Sequence, residues 1–349
     1  MGSASLGGPD RLIANVSRCA ALQDTDIRVL IADDGRTRWE QLEALFRDSP
    51  TTLIPFRMRR RIDLSASERL CREIARLGVD VLHTHDYKSD VVALGARRRC
   101  RIPWVATVHG IYPVSTALSA YRVLDRLVLR RADRVIAVSA ELARYYRRCG
   151  NVTVVSNAVP SPETTSRGLV RCPRKLVFVG RLTPQKGLDV LIKALARARR
   201  EVPDLRVVMV GDGPEMESLR RLAWRLGQAE AVSFVGWRDD VEAFLSRAEL
   251  FVLPSRWEGH PLALMEAMAV GLPAVASDVG DIAHCIDRPE VGRLVPAGDV
   301  GALTQALVEA STATFDGEKS WRHVRSSHAP ETLAGALVQI YRTVLAERR

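Results

Sequence analysis

The chain has 349 residues, 47% apolar and 26% charged, ordinary shares for a soluble globular protein and enough length for two domains. Six cysteines lie scattered with no two close in sequence, which excludes a disulfide scaffold and a paired-cysteine zinc site and fits a reducing compartment. No apolar run approaches the roughly 20 residues that cross a bilayer, and no signal peptide opens the chain, so a cytoplasmic protein is expected.

The net charge of +10 is unevenly placed: residues 1–168 carry 27 Lys and Arg against 18 Asp and Glu, and the remainder 24 against 23. Clusters at Arg57, Arg59, Arg60 and Arg61, at Arg97, Arg98, Arg99 and Arg101, and at Arg126, Arg130, Arg131 and Arg134 fit either an anionic membrane surface or plain solvated surface. Nucleic acid is the weakest reading, because no binding motif accompanies the charge.

The chain opens on a glycine loop, Gly7-Gly8-Pro9, followed by an amphipathic helix over 9–22 with Leu12, Ile13, Val16 and Ala20 on one face. A strand belongs before such a loop, and none is present. Short apolar strands at 27–32, 53–56, 79–84, 104–108, 134–138 and 152–155 then alternate with helices at 39–46, 66–77, 87–99, 117–132 and 140–148. This alternation predicts a parallel, doubly wound sheet. A polar stretch at 161–168 reads as a linker. Beyond it a second series begins, with strands at 175–179, 206–210, 231–235, 250–253 and 274–277 and helices between them. Two doubly wound domains in tandem are expected, 1–165 and 166–330, with ligand bound at the carboxyl ends of the strands in a cleft between them.

The residues with chemistry gather at those strand ends. After the strand 250–253 comes a polar loop, and a helix opens at Pro261, where a missing N–H costs nothing, and stops at Gly271-Leu272-Pro273. Glu258 precedes this helix and Glu266 lies about 8 Å further along at 1.5 Å per residue, with the amides of Gly259, His260 and Leu262 between them. A helix N-terminus is an anion cradle, so this segment suits a sugar joined through phosphates to a ribose; the plainer reading leaves both carboxylates solvated. Arg181 and Lys186 share one strand-to-helix loop and suit a diphosphate, and the tight loop at Gly211 keeps backbone close to a ligand. In the first half, His109 before Gly110 is a substrate-contact candidate. The pair His83 and His85 lacks a third metal ligand, so no metal site is expected.

Gly180-Arg181-Leu182 with Lys186-Gly187, Gly211-Asp212-Gly213-Pro214, Phe234-Val235-Gly236, Glu258-Gly-His-Pro with Glu266, and Gly292-Arg-Leu-Val-Pro resemble, in that order, the retaining glycosyltransferases of family 4. Gly7-Gly8-Pro9, His85-Asp86, Thr107-Val108-His109-Gly110, Val138-Ser139 and Ser156-Asn157 are similar too, so the resemblance spans nearly the whole chain. It implies the GT-B fold, two Rossmann-like domains facing a central cleft, with a final helix within 331–349 returning to the first domain. It implies transfer of a hexose from a nucleotide-diphosphate sugar to a glycan or lipid-linked acceptor, in cell-surface polysaccharide synthesis, without metal or other cofactor. By the same resemblance Arg181 and Lys186 hold the diphosphate, Glu266 the ribose, and Glu258 with the amides of Gly259 and His260 the donor sugar, which His109 touches from the first domain; His109 and Glu258 are the catalytic candidates, and Gly8, Gly211, Pro261 and Leu262 are further substrate-binding candidates. Two other readings stay open, a nucleotide-sugar epimerase of the same fold and an inactive membrane-associated scaffold. Departures from the family are Gln185 before the lysine, Val279-Gly280 in place of a glycine pair, and the missing first strand. The last is expected to reflect an incomplete start, the other reading being a poorly folded acceptor domain.

Overall fold

The computed structural model describes residues 8–20, 25–33, 35, 37, 39–58, 63, 65–110, 124–163, 167–259 and 261–348. The chain divides into two units, residues 1–158 with 330–349, and residues 159–329. The second begins ahead of the expected 166. Val159 N–H donates to the His328 carbonyl, and the Pro162 carbonyl accepts from Trp321 Nε1 and Arg325, so the start of the expected linker is tied into the second unit.

The first unit runs α1 (Gly8–Ala20), β1 (Arg28–Asp33), α2 (Trp39–Phe46), β2 (Thr52–Arg57), α3 (Ala66–Leu77), β3 (Leu82–Thr84), α4 (Tyr87–Cys100), β4 (Trp104–Val108), β5 (Arg134–Ala137), α5 (Ala140–Tyr146) and β6 (Val152–Val154). The helix expected over 117–132 lies partly outside the described residues; 124–129 is helical. β4 is buried along its whole length, as a central parallel strand requires. α4 shows why a helix starts where it does: the Asp86 carboxylate accepts from the amides of Lys88 and Ser89 while the Ser89 hydroxyl closes the box.

The second unit runs β7 (Leu169–Arg171), β8 (Lys175–Val179), α6 (Leu188–Ala198), β9 (Arg206–Val210), α7 (Met216–Arg225), β10 (Val232–Gly236), α8 (Val241–Arg247), β11 (Leu250–Leu253), α9 (Leu262–Ala269), β12 (Ala274–Ser277), α10 (Ile282–Cys285), β13 (Gly292–Val295), α11 (Val300–Ala310), β14 (Thr314–Asp316) and α12 (Gly317–Ser327). α13 (Pro330–Ala346) then returns to the first unit, where Leu333 and Ala334 pack on Leu12 and Val16 of α1.

The two units differ in how completely their sheets close. In the second, six parallel strands stand in the order β10-β9-β8-β11-β12-β13, with β7 and β14 as a small antiparallel pair. One contiguous core fills this unit, from Val159 to Val324. In the first, among the described residues, β1 and β2 pair with each other, while β3-β4-β5-β6 form a separate sheet. A cavity of about 690 Å³ is lined by Val29 and Leu30 of β1, Leu82 and Thr84 of β3, Ile74 of α3 and Leu337 of α13. Residues 1–7, ahead of α1, lie outside the described residues, and the buried apolar residues of this unit fall into separate clusters, among them those around Trp104, Leu70 and Ile31.

Candidate active site

In the second unit the strand order reverses at β8, which has β9 on one side and β11 on the other. Loops leaving adjacent strands at such a reversal diverge and leave a crevice at the carboxyl edge. Here those loops are residues 180–187 after β8 and 254–261 after β11, and their backbones are in contact. Gly187, at φ 63°, occupies the left-handed region, and a Cβ there would collide with the Pro254 carbonyl. A Cβ on Gly211 would collide with the Gly180 carbonyl, and one on Gly280 with that of Glu258. Glycine at these positions lets four neighbouring loops converge.

Side chains then stitch the loops. Arg256 N–H donates to the Gln185 carbonyl at 2.7 Å, and Gln185 Nε2 returns a bond to the Trp257 carbonyl at 3.0 Å. The Arg256 guanidinium reaches the Pro184 carbonyl and Asp189, at 2.7 and 2.8 Å. At the centre Lys186 Nζ sits 2.5 Å from Glu258 Oε1, with the two side chains only 18% and 6% exposed. The same Oε1 accepts from the hydroxyl of the fully buried Ser255 at 2.6 Å.

The sequence-derived candidates are therefore brought together only in part. Lys186 and Glu258, assigned to separate parts of a ligand, are joined to each other. Gly211 and Gly259 lie in the converging loops, Pro261 caps α9, Leu262 is its first residue, and Glu266 is a partly buried residue further along the helix. Arg181 is exposed on the β8 loop, while His260 lies outside the described residues. Gly8 is the first residue of α1 and His109 follows β4, both in the first unit. Sequence reasoning missed Ser255, Arg256 and Asp189. A serine directly after the strand-ending Pro254 was the one available signal for the first; the Arg256–Asp189 ion pair spans two loops and has none.

α9 has no side-chain cap, Met265 N–H donates to the Pro261 carbonyl at 3.1 Å, and the first amides of any helix lack a partner within the helix. The arrangement offers an ammonium with two donors beyond its bond to Glu258, the exposed guanidinium of Arg181 and helix-terminal amides, a set that suits a diphosphate.

In the first unit His83 uses both ring nitrogens, at 2.6 Å to the Tyr341 hydroxyl and 2.7 Å to Thr107 Oγ1, which leaves none for a metal. His85 Nδ1 is 3.1 Å from His109 Nε2, with the rings stacked at 5.4 Å. Burial, then the neighbouring imidazoles, hold His85 well below the usual histidine range. Beneath them Thr84 Oγ1 donates to the buried Asp90 at 2.5 Å and accepts from Trp104 Nε1 at 2.8 Å. Burial, reinforced by Asp125, keeps the Asp90 carboxyl well above the carboxylate range.

The sequence model described as Glycosyltransferase Family 4 matches residues 6–163, and that described as Glycosyl transferases group 1 matches 173–312. The chain belongs to the family-4 glycosyltransferases. A phosphatidyl-myo-inositol mannosyltransferase of Mycobacterium leprae is 35% identical over 66% of this chain and 63% of its own. The Escherichia coli UDP-Gal:alpha-D-GlcNAc-diphosphoundecaprenol alpha-1,3-galactosyltransferase is 28% identical over 71% of this chain and 70% of its own. Among solved structures, Anabaena Alr3699/HepE in complex with UDP and glucose superposes with a TM-score of 0.81 at 19% identity, covering 98% of both chains. The fold of this glycosyltransferase is GT-B, with two Rossmann-like domains.

Two outcomes follow from the site geometry. Lys186→Ala strands a nearly buried Glu258 carboxylate and is expected to destabilise the second unit by about 1–3 kcal/mol, with Glu258→Gln in the same chain recovering part of the loss; urea denaturation of the four proteins of the cycle checks this, and additive effects would contradict it. Burial lowers His83 from 6.5 to about 3. Its neutral ring therefore adds stability that is complete above pH 6.5 and is lost as acid protonates the unfolded chain, down to about pH 3. Between pH 7 and 5 the stability advantage of the wild type over His83→Gln should shrink by about 2 kcal/mol, and a constant gap would refute the shift.

Proposed function

We propose that this glycosyltransferase is a retaining, metal-independent enzyme that moves a hexose from a nucleoside-diphosphate sugar to a glycan or lipid-linked acceptor in cell-surface polysaccharide or glycolipid synthesis. The observation that carries this reading is the Lys186–Glu258 pair at the strand reversal, beside the open start of α9 and the exposed Arg181. Glu258 holds the ammonium in place, so its remaining donors face phosphate without a search among rotamers. Arg181 adds a planar fork, and the α9 amides add the positive end of the helix dipole. Together they neutralise the charge that grows on the leaving diphosphate, the task a divalent cation performs elsewhere. Glu266 is assigned to the ribose hydroxyls and His109 to substrate contact.

In this scheme the protein supplies no nucleophile. The acceptor oxygen bonds to the anomeric carbon on the face from which the diphosphate oxygen departs, and that oxygen takes the acceptor proton. Rate enhancement then comes from positioning and preorganised charge. The sugar donors and acceptors of the Escherichia coli and Mycobacterium leprae relatives, and the UDP and glucose of the Anabaena complex, support the substrate classes.

A thermal-shift panel of UDP, GDP, ADP and their sugar conjugates without metal tests the donor site. Ligand at 100 times its dissociation constant contributes about 2.7 kcal/mol, a rise of about 5–10 °C. The rise should occur with one nucleotide and vanish in Arg181→Ala, an exposed residue whose loss leaves the fold intact. No rise from cooperatively melting protein would overturn the assignment, as would a transfer product whose anomeric configuration by proton NMR is opposite to the donor's.

We further propose that the first unit rests on an anionic membrane surface. No helix among the described residues is long and apolar enough to cross a membrane. The 124–129 helix exposes Leu124 and Leu127, at 46% and 51%, beside the exposed Arg130 and Arg131. Arg97 and Arg134 are instead occupied by Asp133 and Glu347. Sedimentation with liposomes should require anionic lipid and weaken with salt; salt-insensitive binding to neutral vesicles would contradict it.

A further inference from the structure

α3 and α4 approach closely enough that Gly95 has no room for a Cβ beside the Ser67 side chain, and the Ser67 hydroxyl donates across the contact to the Val92 carbonyl at 3.0 Å. Ser67 and Cys71 stand four residues apart on α3, and Ala96 and Cys100 four apart on α4, so each pair shares a helix face. The approach that begins at Ser67 and Gly95 therefore continues one turn on to place Cys71 against Cys100. Their sulfurs lie 2.9 Å apart. Both turn toward the Ala96 carbonyl, Cys71 Sγ at 3.5 Å and Cys100 Sγ at 3.0 Å. Cys71 is partly buried, Cys100 is exposed, and both are free thiols. Of the other four cysteines, Cys149 and Cys285 are buried, Cys19 is partly buried and Cys172 is exposed.

We propose that Cys71 and Cys100 form a hydroperoxide-reactive dithiol that closes to a disulfide and staples α3 to α4. Cys100 is the sulfur that meets the oxidant, because it is the accessible one. Its thiolate attacks one peroxide oxygen, the O–O bond breaks, and the departing oxygen leaves as water or alcohol, giving a sulfenic acid. Cys71 then attacks the Cys100 sulfur, the S–O bond breaks, and the hydroxide released takes up the Cys71 proton as water. Two thiols lose two electrons and the peroxide gains them. Burial, and then the adjacent Cys100, push the Cys71 thiol up to about 11, so it stays protonated until the sulfenic acid forms beside it and acts as the resolving partner. The chemistry is independent of sugar transfer.

The intact protein is treated with a few equivalents of hydrogen peroxide, then digested without reduction. The expected result is a loss of about 2 Da and one cross-linked peptide joining Cys71 to Cys100. The melting midpoint should rise by about 5 °C, since the bond closes a loop of some thirty residues, and fall back on reduction with dithiothreitol. In Cys71→Ser the sulfenic acid has no resolving partner and should be trapped by dimedone at Cys100; in Cys100→Ser, Cys71 should take up far less. Individual alkylation of both thiols by iodoacetamide after peroxide treatment would overturn the proposal, and so would a cross-link involving Cys19 or Cys172 instead.

Discussion

The second domain depends on backbone meeting backbone at the carboxyl ends of its central strands. A side chain on Gly187, Gly211 or Gly280 would push the loops after β8, β9, β11 and β12 apart, and the Lys186–Glu258 pair would lose its 2.5 Å contact. That pair is nearly withdrawn from water, which is costly unless the partners are fixed; Ser255 on the carboxylate and Gln185 on the neighbouring backbone fix them. In the donor site proposed above, a cation held by scaffold would already be in place for a diphosphate, so binding free energy would not be spent on ordering it.

The first domain is organised on the same plan with a weaker frame. Among the described residues its two sheets are not paired with each other, and a two-stranded sheet such as β1-β2 has little stability of its own, so much of its order rests on helices packed across it. α13 is one such clamp: Leu333 and Ala334 cover α1 while Tyr341 bonds His83. Through Thr107, His83 is tied to the strand that leads into His109. The tail of the chain thus helps set the histidines of the first domain, and this contact crosses more than two hundred residues of sequence.

Much of this was legible in the residues alone. Alternating apolar runs marked most of the strands of both large sheets, because a strand buried on both faces is written locally as a short Val, Ile and Leu run. The start and stop of α9 were legible for the same reason, since proline and glycine act on their own backbone. β7 and β14 carried no such signal: each is three residues long, and they exist only because they pair with each other across most of the second unit. β13 was legible as a motif but not as a strand, for its Gly292-Arg293 start breaks the apolar run.

By itself, then, the sequence determined the two α/β domains, the glycine-bearing loops, and which charged residues stand at strand ends, since each is a property of a few consecutive residues. Only the tertiary structure decided which side chains meet. Lys186 with Glu258, Arg256 with Asp189, His85 with His109 and Cys71 with Cys100 are separated by 72, 67, 24 and 29 residues. Their meeting depends on the order of strands in a sheet and on how closely two helices approach, and neither quantity is encoded in any one stretch of chain.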